Sequence, residues 1–363
     1  MPLIDAAVCH EFGQPLTIEK VALRAPQGAE VEVSLAACAI CHSDITYMDG
    51  GWGGSLPAVY GHEAAGHVTG LGDLVRGISI GDPVVVTLIR ACGHCAPCSE
   101  GKPTACDTAY DDDHGPLKTA DGGKLHQAMA CGAFAEKVVV DQSQVVRVPA
   151  DMALDAASLL ACGVITGIGA VVNAAKLRAG QDCVVIGAGG VGLNAIQGAR
   201  IAGARRIVAV DMSPEKLAIA RDFGATDGVL ATEAEPWAMA QAIMGRGADA
   251  VFVTVGSAKA YEQAINYIGK GGNIVLVGMP HSGQTSGYEM ANLAAWSQGM
   301  AGSKMGNVVI KRDIPWMVDL YQQKRLKLDE LISGRYPLDQ INAAIADTRT
   351  GSAKRNVIVF GKG

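Results

Sequence analysis

The segment Gly187-Ala188-Gly189-Gly190-Val191-Gly192 follows directly on the apolar run Cys183 to Ile186 and opens a helical stretch, Leu193 to Ala202. Glycines so placed permit a tight turn, bring backbone close to a ligand and let the helix lie against its strand. The amides of the helix N-terminus then face an anion such as a pyrophosphate. A second apolar run, Ile207 to Val210, ends at Asp211, 24 residues past Gly187. That is close to the ~20 expected for a carboxylate that hydrogen-bonds an adenosine ribose 2′-OH. A carboxylate there repels a 2′-phosphate, so the pattern points to NAD over NADP.

From about residue 163 onward, apolar strands alternate with helical segments: Pro214 to Phe223, then strands at Ala250 to Val255 and Ile274 to Val277. The alternation predicts a doubly wound parallel sheet of Rossmann type. The first part differs, with short β-type runs (Val31 to Leu35, Gly66 to Thr69, Pro83 to Leu88, Ala135 to Val140) broken by Gly, Pro and Asp. It reads as an irregular, mostly β domain, and 363 residues suffice for two domains. The tail carries helical segments at Ile314 to Gln322 and Leu338 to Asp347 and a strand at Asn356 to Phe360. It could extend the sheet domain or return to the first.

A net charge of -6 with no basic run argues against nucleic acid or an anionic membrane as partner. The uncharged stretch Ala156 to Ala175 is too polar and Gly-rich for a lone membrane span, and Asp111 to Asp113 reads as a solvated loop. No signal-peptide pattern opens the N-terminus. Ten cysteines without such a signal fit metal binding and buried thiols in a reducing cytoplasm better than a disulfide framework.

Four of those cysteines, Cys92, Cys95, Cys98 and Cys106, are spaced Cys-x2-Cys-x2-Cys-x7-Cys in a loop rich in Gly and Pro. Four thiolates close a tetrahedral zinc shell and leave no position for substrate, which is the design of a structural site. An iron-sulfur cluster or disulfides are the competing readings. A second set is dispersed: Cys41, His62 and Cys162. Each alone is an ordinary core or loop residue. Together they offer two thiolates and one imidazole, the ligand set of a catalytic zinc with one open position, where a bound hydroxyl would lose its proton near neutral pH. Asp44 and Glu63 are candidates to orient His62.

With these three sets in order, the chain resembles the zinc-containing medium-chain alcohol dehydrogenases over essentially its whole length. The resemblance implies a GroES-like, mostly β catalytic domain built from residues 1–163 and 301–363 around a Rossmann domain of residues 164–300. It implies two zinc ions per subunit: a catalytic one at Cys41, His62 and Cys162, with Glu63 as adjacent or transient ligand, and a structural one at Cys92, Cys95, Cys98 and Cys106. It places Ser43 where a hydroxyl takes the proton from the alcohol, His42 and Arg355 at the cofactor pyrophosphate, and Thr166 beside the nicotinamide. Trp52, Leu88 and Phe134 match positions lining the substrate pocket. NAD would bind at Gly187, Gly189, Gly190, Val191, Gly192 and Asp211.

The reaction so implied is reversible hydride transfer between a small alcohol and NAD, giving an aldehyde or ketone, in a cytoplasmic homodimer or homotetramer. The segment from Asp107 to Gly132, with His114, His126 and Cys131 as loop residues, resembles the dimeric forms. Two departures stand out. Thr46 occupies the position where many members continue the proton relay with a histidine, which leaves exit through the ribose hydroxyl to water or another group, or His42 as a substitute. Gly50, Gly51, Trp52, Gly53 and Gly54, with Tyr110, Asp111, Asp112 and Asp113, replace the acidic and arginine residues that hold glutathione in the formaldehyde branch. Glutathione adducts are therefore disfavoured, and a thiol-adduct (S-hydroxymethylglutathione-type) formaldehyde dehydrogenase stands as the alternative reading.

Overall fold

The computed structural model describes residues 1–361. The chain divides into two compact units, one comprising residues 1–162 together with the chain from Val309 onward, the other Gly163–Val308.

The first unit holds two sheets. In the larger, strands run in the order Val145–Arg147, Pro83–Thr87, Glu63–Leu71, Glu30–Ala39, Arg355–Val359, Ile332–Pro337, and Lys137–Asp141 also pairs with Glu30–Ala39. Glu30–Ala39 alternates between buried and half-buried residues up to Ala37, as a strand with one face on a core requires. It outruns the expected Val31 to Leu35 because its far end is paired on both sides, Ala39 with Glu63 and Ala39 with Val357. The tail thus returns to the first unit. The smaller sheet orders Leu117–Thr119, Thr17–Leu23, Leu3–Cys9, Ala58–Val59 and His126–Gln127.

The second unit is a six-stranded parallel sheet in the order Asp227–Leu230, Arg206–Asp211, Asp182–Ile186, Ala248–Val253, Ile268–Leu276, Gly299–Gly302. The chain starts in the middle and winds outward in both directions, so the order reverses between Asp182–Ile186 and Ala248–Val253. That reversal is where such sheets bind ligands, beyond the carboxyl ends of the strands. Every residue of Asp182–Ile186 is buried, as befits a strand covered on both faces. The helix Pro214–Phe223 shows how local sequence sets its limits. Ser213 caps it by accepting from Lys216 N at 3.2 Å, Pro214 supplies a preset first turn, and Gly224 ends it at φ 119°.

One boundary differs from the expected one at residues 300 and 301. Gly299–Gly302 extends the parallel sheet through Asn273↔Gly299, and the turn Lys304–Asn307 lies on the helix Gly163–Gly169, where a Cβ on Gly306 would sit 2.2 Å from Ile165 O. The sheet unit therefore runs to Val308.

Candidate metal centres and the nucleotide loop

The register Ala39↔Glu63 brings two chain segments side by side just where one enters the helix His42–Met48 and the other leaves the turn at Gly61. Gly61 has φ 92°, and a Cβ there would lie 2.6 Å from Phe134 N, so only glycine fits. Cys41, at the helix N-cap, and His62, just after the turn, are thereby held together. Cys162 joins them from the end of the short turn Leu159–Ala161. One donor atom from each of Cys41, His62, Glu63 and Cys162 lies within 4.8 Å of all the others, and all four residues are buried.

Asp44 organises this cluster. Its fully buried carboxylate accepts from Cys41 N at 3.0 Å, Gly61 N at 3.0 Å and His62 Nδ1 at 2.9 Å. Nε2 of His62 is then the ring nitrogen left for a ligand, and it is buried with no hydrogen-bond partner. Both Glu63 carboxylate oxygens are likewise buried without a hydrogen bond, although Oε1 lies 3.1 Å from Arg355 Nη2. Buried polar atoms left so are costly unless something binds them. Two sulfurs and one ring nitrogen aimed at a common point are a donor set that fits a zinc ion.

The charges point the same way. Cys41 is held well below the ordinary thiol range, first by its hydrogen bond with Cys162 and then by Arg355 and His62, while Cys162 is raised by the same bond and by burial. A metal cation held between the two sulfurs would favour the thiolate form of both. Desolvation pulls His62 down, but Asp44 and Cys41 together outweigh it and the net shift is upward. Burial pushes Glu63 up to about 8 despite Arg355.

Around this cluster the predicted residues divide. His42 is exposed, Ser43 half-buried, and Thr46 donates its hydroxyl back to His42 O at 2.9 Å. Trp52 is half-buried and meets Tyr47 edge to face at 5.0 Å, and Leu88 is half-buried too. Phe134 has 0% exposure, its ring lying beside Gly61. Arg355 is 5% exposed and sits against Glu63, because the tail strand that carries it pairs with Glu30–Ala39. Nothing in the local sequence around Arg355 signals this partner; it follows from a strand pairing across most of the chain.

Cys92, Cys95, Cys98 and Cys106 form the second cluster, again with donor atoms within 4.8 Å of one another, all half-buried. Cys92 N donates to Cys106 Sγ and Cys95 N to Cys92 Sγ, each at 3.3 Å. Such bonds favour thiolates: Cys92 is lowered to about 5, chiefly by a hydrogen bond from Thr108, whereas desolvation raises Cys98 to about 12. Gly93 and Gly101 turn the loop at φ 80° and 75°, and the helix Ala96–Ser99 buries none of its residues. Thr104 is the one residue buried between Cys92 and Cys106, so the sulfurs supply most of what holds this loop. No disulfide links any cysteine of the chain.

At the glycine loop, a Cβ on Gly192 would lie 1.8 Å from Gly187 O and one on Gly187 2.4 Å from Val255 Cγ1, so both positions demand glycine. Gly189 faces open space, which leaves its backbone approachable. Asp211 accepts from Ala188 N at 2.7 Å and Ser213 N at 3.0 Å, so its carboxylate is held at the strand end beside the loop. Thr166 is 8% exposed and donates to Met305 Sδ at 3.7 Å. Thr254, missed in the sequence, secures the loop by hydrogen bonding to Ile186 O and Gly187 O, each at 2.9 Å. Its signal was its place at the carboxyl end of the neighbouring strand.

Comparison with known proteins decides the family. Residues 27–150 match the alcohol dehydrogenase GroES-like domain, and residues 190–323 match the zinc-binding dehydrogenase family. The chain belongs to the zinc-binding alcohol dehydrogenase family. The GroES-like match lies within the first unit, and most of the zinc-binding dehydrogenase match lies within the second. The chain is 35% identical to an NDMA-dependent alcohol dehydrogenase of Amycolatopsis methanolica, over 98% of both proteins. It is 32% identical to an S-(hydroxymethyl)glutathione dehydrogenase of Saccharomyces cerevisiae, over 97% of this chain and 95% of that one. The crystal structure of a benzyl alcohol dehydrogenase from Acinetobacter calcoaceticus superposes with a TM-score of 0.94 at 31% identity, covering 99% of this chain and all (100%) of the other. The thiol-adduct alternative is not favoured.

Proposed function

We propose that this alcohol dehydrogenase oxidises small alcohols to aldehydes or ketones, reversibly, with one zinc at Cys41, His62 and Cys162 and NAD at the glycine loop. The observation that carries this reading is the gathering of those three side chains from distant segments, with His62 Nε2 buried and unpartnered. Zinc, when bound, supplies a Lewis acid that eases loss of the alcohol proton, and NAD accepts the hydride.

The chain's own residues do the rest. Asp44 fixes the tautomer and direction of His62 through Nδ1. Ser43, half-buried one residue past His42, takes the alcohol proton at its hydroxyl. Its onward route runs to His42, since the Thr46 hydroxyl is engaged with a backbone carbonyl. Glu63, paired with Arg355, adjoins the ligand set and would serve as an adjacent or transient fourth donor, the one carboxylate among them. Asp211 holds the adenosine ribose and Thr166 the nicotinamide side. Trp52 and Leu88 line the substrate pocket. Cys92, Cys95, Cys98 and Cys106 hold a second, structural zinc.

The assembly we read is a homodimer or homotetramer. Gly299–Gly302 is an edge strand, and Met290 and Trp296 nearby are 80% and 43% exposed, an apolar margin that a second copy would cover. A cytoplasmic setting is supported by the gathering of six of the ten cysteines into two clusters of potential metal ligands. No single helix among the described residues is long and apolar enough to cross a membrane.

The test is metal analysis of purified protein together with turnover of a panel of alcohols, benzyl alcohol included, against NAD, NADP and NDMA, with and without glutathione. Two zinc ions per chain and NAD-linked oxidation without thiol are expected. Cys162→Ala should lose one zinc and turnover together. A Cys162→Ala protein with full zinc and full turnover would overturn the assignment.

A further inference from the structure

Met129 and Ala130 hold left-handed backbone at φ 53° and 51°. Residues with a Cβ rarely adopt this conformation, and it persists only where the surroundings enforce it. Two buried amide side chains do so here. Gln144, 1% exposed, donates from Nε2 to Ala130 O and to Thr87 O, each at 2.9 Å, while its Oε1 accepts from Asp141 N at 3.3 Å. Gln127, 3% exposed, donates from Nε2 to Cys131 O at 2.9 Å and Val139 O at 3.0 Å, and its carbonyl accepts from the Tyr110 hydroxyl. Burying an amide costs free energy unless its donors and acceptor are met, and here they are.

What the turn touches is the reason to look at it. Thr87, held by Gln144, is the register partner of Glu63. Just beyond the turn, Ala133 N donates to Gly61 O at 2.9 Å and Phe134 N to Tyr60 O at 2.8 Å. The turn is therefore tied on one side to the strand opposite Glu63 and on the other to the residue that precedes His62. Neither glutamine belongs to the cluster of potential ligands.

We propose that Gln144 and Gln127 are positioning residues: by holding Met129 and Ala130 left-handed, they press Ala133 and Phe134 against Tyr60 and Gly61 and so set the direction of His62 and Glu63. The proposal rests on reading Cys41, His62 and Cys162 as the catalytic metal set. Small errors in the placement of a reacting group cost rate steeply, which is why a strained turn with dedicated supports belongs beside such a site.

The experiment compares Gln144→Leu, Ala130→Gly, the double variant and a control, Asn342→Leu. Asn342 clamps Leu16 through two hydrogen bonds, of 2.8 and 2.9 Å, remote in sequence from the turn. Four quantities are read: melting temperature, amide exchange of peptides covering 60–63 and 132–134, the visible spectrum after cobalt(II) replaces the catalytic metal, and kcat with KM. Gln144→Leu should speed exchange in both peptides about tenfold, shift the cobalt bands and lower kcat about ten- to a hundredfold with KM little changed. Asn342→Leu should lower the melting temperature and leave the other three alone. Adding Ala130→Gly to Gln144→Leu should restore melting temperature, since the glycine accepts a left-handed backbone, but not kcat or the cobalt bands.

Wild-type exchange and wild-type cobalt bands in Gln144→Leu would overturn the proposal, as would a double variant in which kcat recovers along with melting. Should the wild type take up no metal at these residues, the functional reading fails by itself. The exchange measurement needs neither metal nor substrate; made on Gln144→Leu and on Gln127→Leu, it still decides whether each glutamine holds Gly61 and His62 in place.

Discussion

The Oδ1 atom of Asp44 lies 2.9 Å from Nδ1 of His62, and neither side chain has any exposed surface. The same carboxylate takes the backbone N–H groups of Cys41 and Gly61, so one side chain fixes both a sulfur donor and the ring donor. In Asp44→Ala three buried donors lose their acceptor, each at about 1–3 kcal/mol. We expect a loss of at least ~3 kcal/mol in urea unfolding, together with about 10–100-fold weaker zinc retention in competition with a chelator. Unchanged zinc affinity in this variant would mean that His62 is oriented by something else.

Asp211 sits at the end of Arg206–Asp211 with its carboxylate anchored by Ala188 N and Ser213 N. Replacing it with glycine removes both the ribose partner and the charge that opposes a 2′-phosphate. The ratio of kcat/KM for NAD to that for NADP should fall by about tenfold or more, equivalent to ~1.4 kcal/mol. Steady-state kinetics with both cofactors checks this, and an unaltered ratio would place the ribose elsewhere.

The helix Ala96–Ser99 of the four-Cys loop buries none of its residues and Thr104 alone is buried within the loop, so its order depends on the sulfur cluster. Cys98→Ala should reduce zinc from two ions per chain to one, lower the melting temperature and open residues 92–106 to limited proteolysis. Alcohol turnover per remaining catalytic zinc should fall much less than in Cys162→Ala. Loss of both zinc ions at once would show that the two clusters are not independent.

Asp182, with no side-chain exposure, is flanked by Arg205 at 2.5 Å and Arg246 at 2.9 Å, both half-exposed. Desolvation pulls its carboxyl up, but the two guanidinium groups outweigh this and the net shift is downward. A depressed pKa means that the folded chain holds the carboxylate more firmly than the unfolded chain does. Its stabilisation is thus complete above the ordinary aspartate value of about 3.9 and disappears as pH falls through the lower, folded value. Asp182→Asn should cost about 1–3 kcal/mol at pH 7, discounted for the solvent around the arginines. The gap to wild type should close below about pH 4. Melting curves from pH 7 to pH 3 give the answer; a gap that widens in acid would reverse the sign assigned here.

Much of the fold was legible because its signals are local. The glycine loop, with strand before and helix after, is dictated by backbone dihedrals and by atoms only a few residues apart: Gly192 against Gly187 O is a contact within one turn. The four-Cys spacing is similar, since a short loop with glycine turns can bring its sulfurs together without help from the rest of the chain. The alternation of apolar runs with helical stretches likewise announced the parallel sheet, although its last strand, Gly299–Gly302, carries too little apolar pattern to be seen and shifted the boundary.

Other relationships existed only once the sheets had paired. Cys41, His62 and Cys162 were named as a set from their chemistry, but what makes them neighbours is the register Ala39↔Glu63 and the glycine at position 61, which depend on the packing of the whole first unit. Arg355 meets Glu63 because a strand near the end of the chain returns to pair with Glu30–Ala39. Phe134 turns into the core, and Gln144 and Gln127 become supports, for the same reason. Residue type and spacing determined which groups could act and which loops could hold a phosphate or close on four sulfurs. Tertiary structure decided which of them meet, because long-range register is set by the free energy of burying an entire core and leaves no mark on the few residues around each side chain.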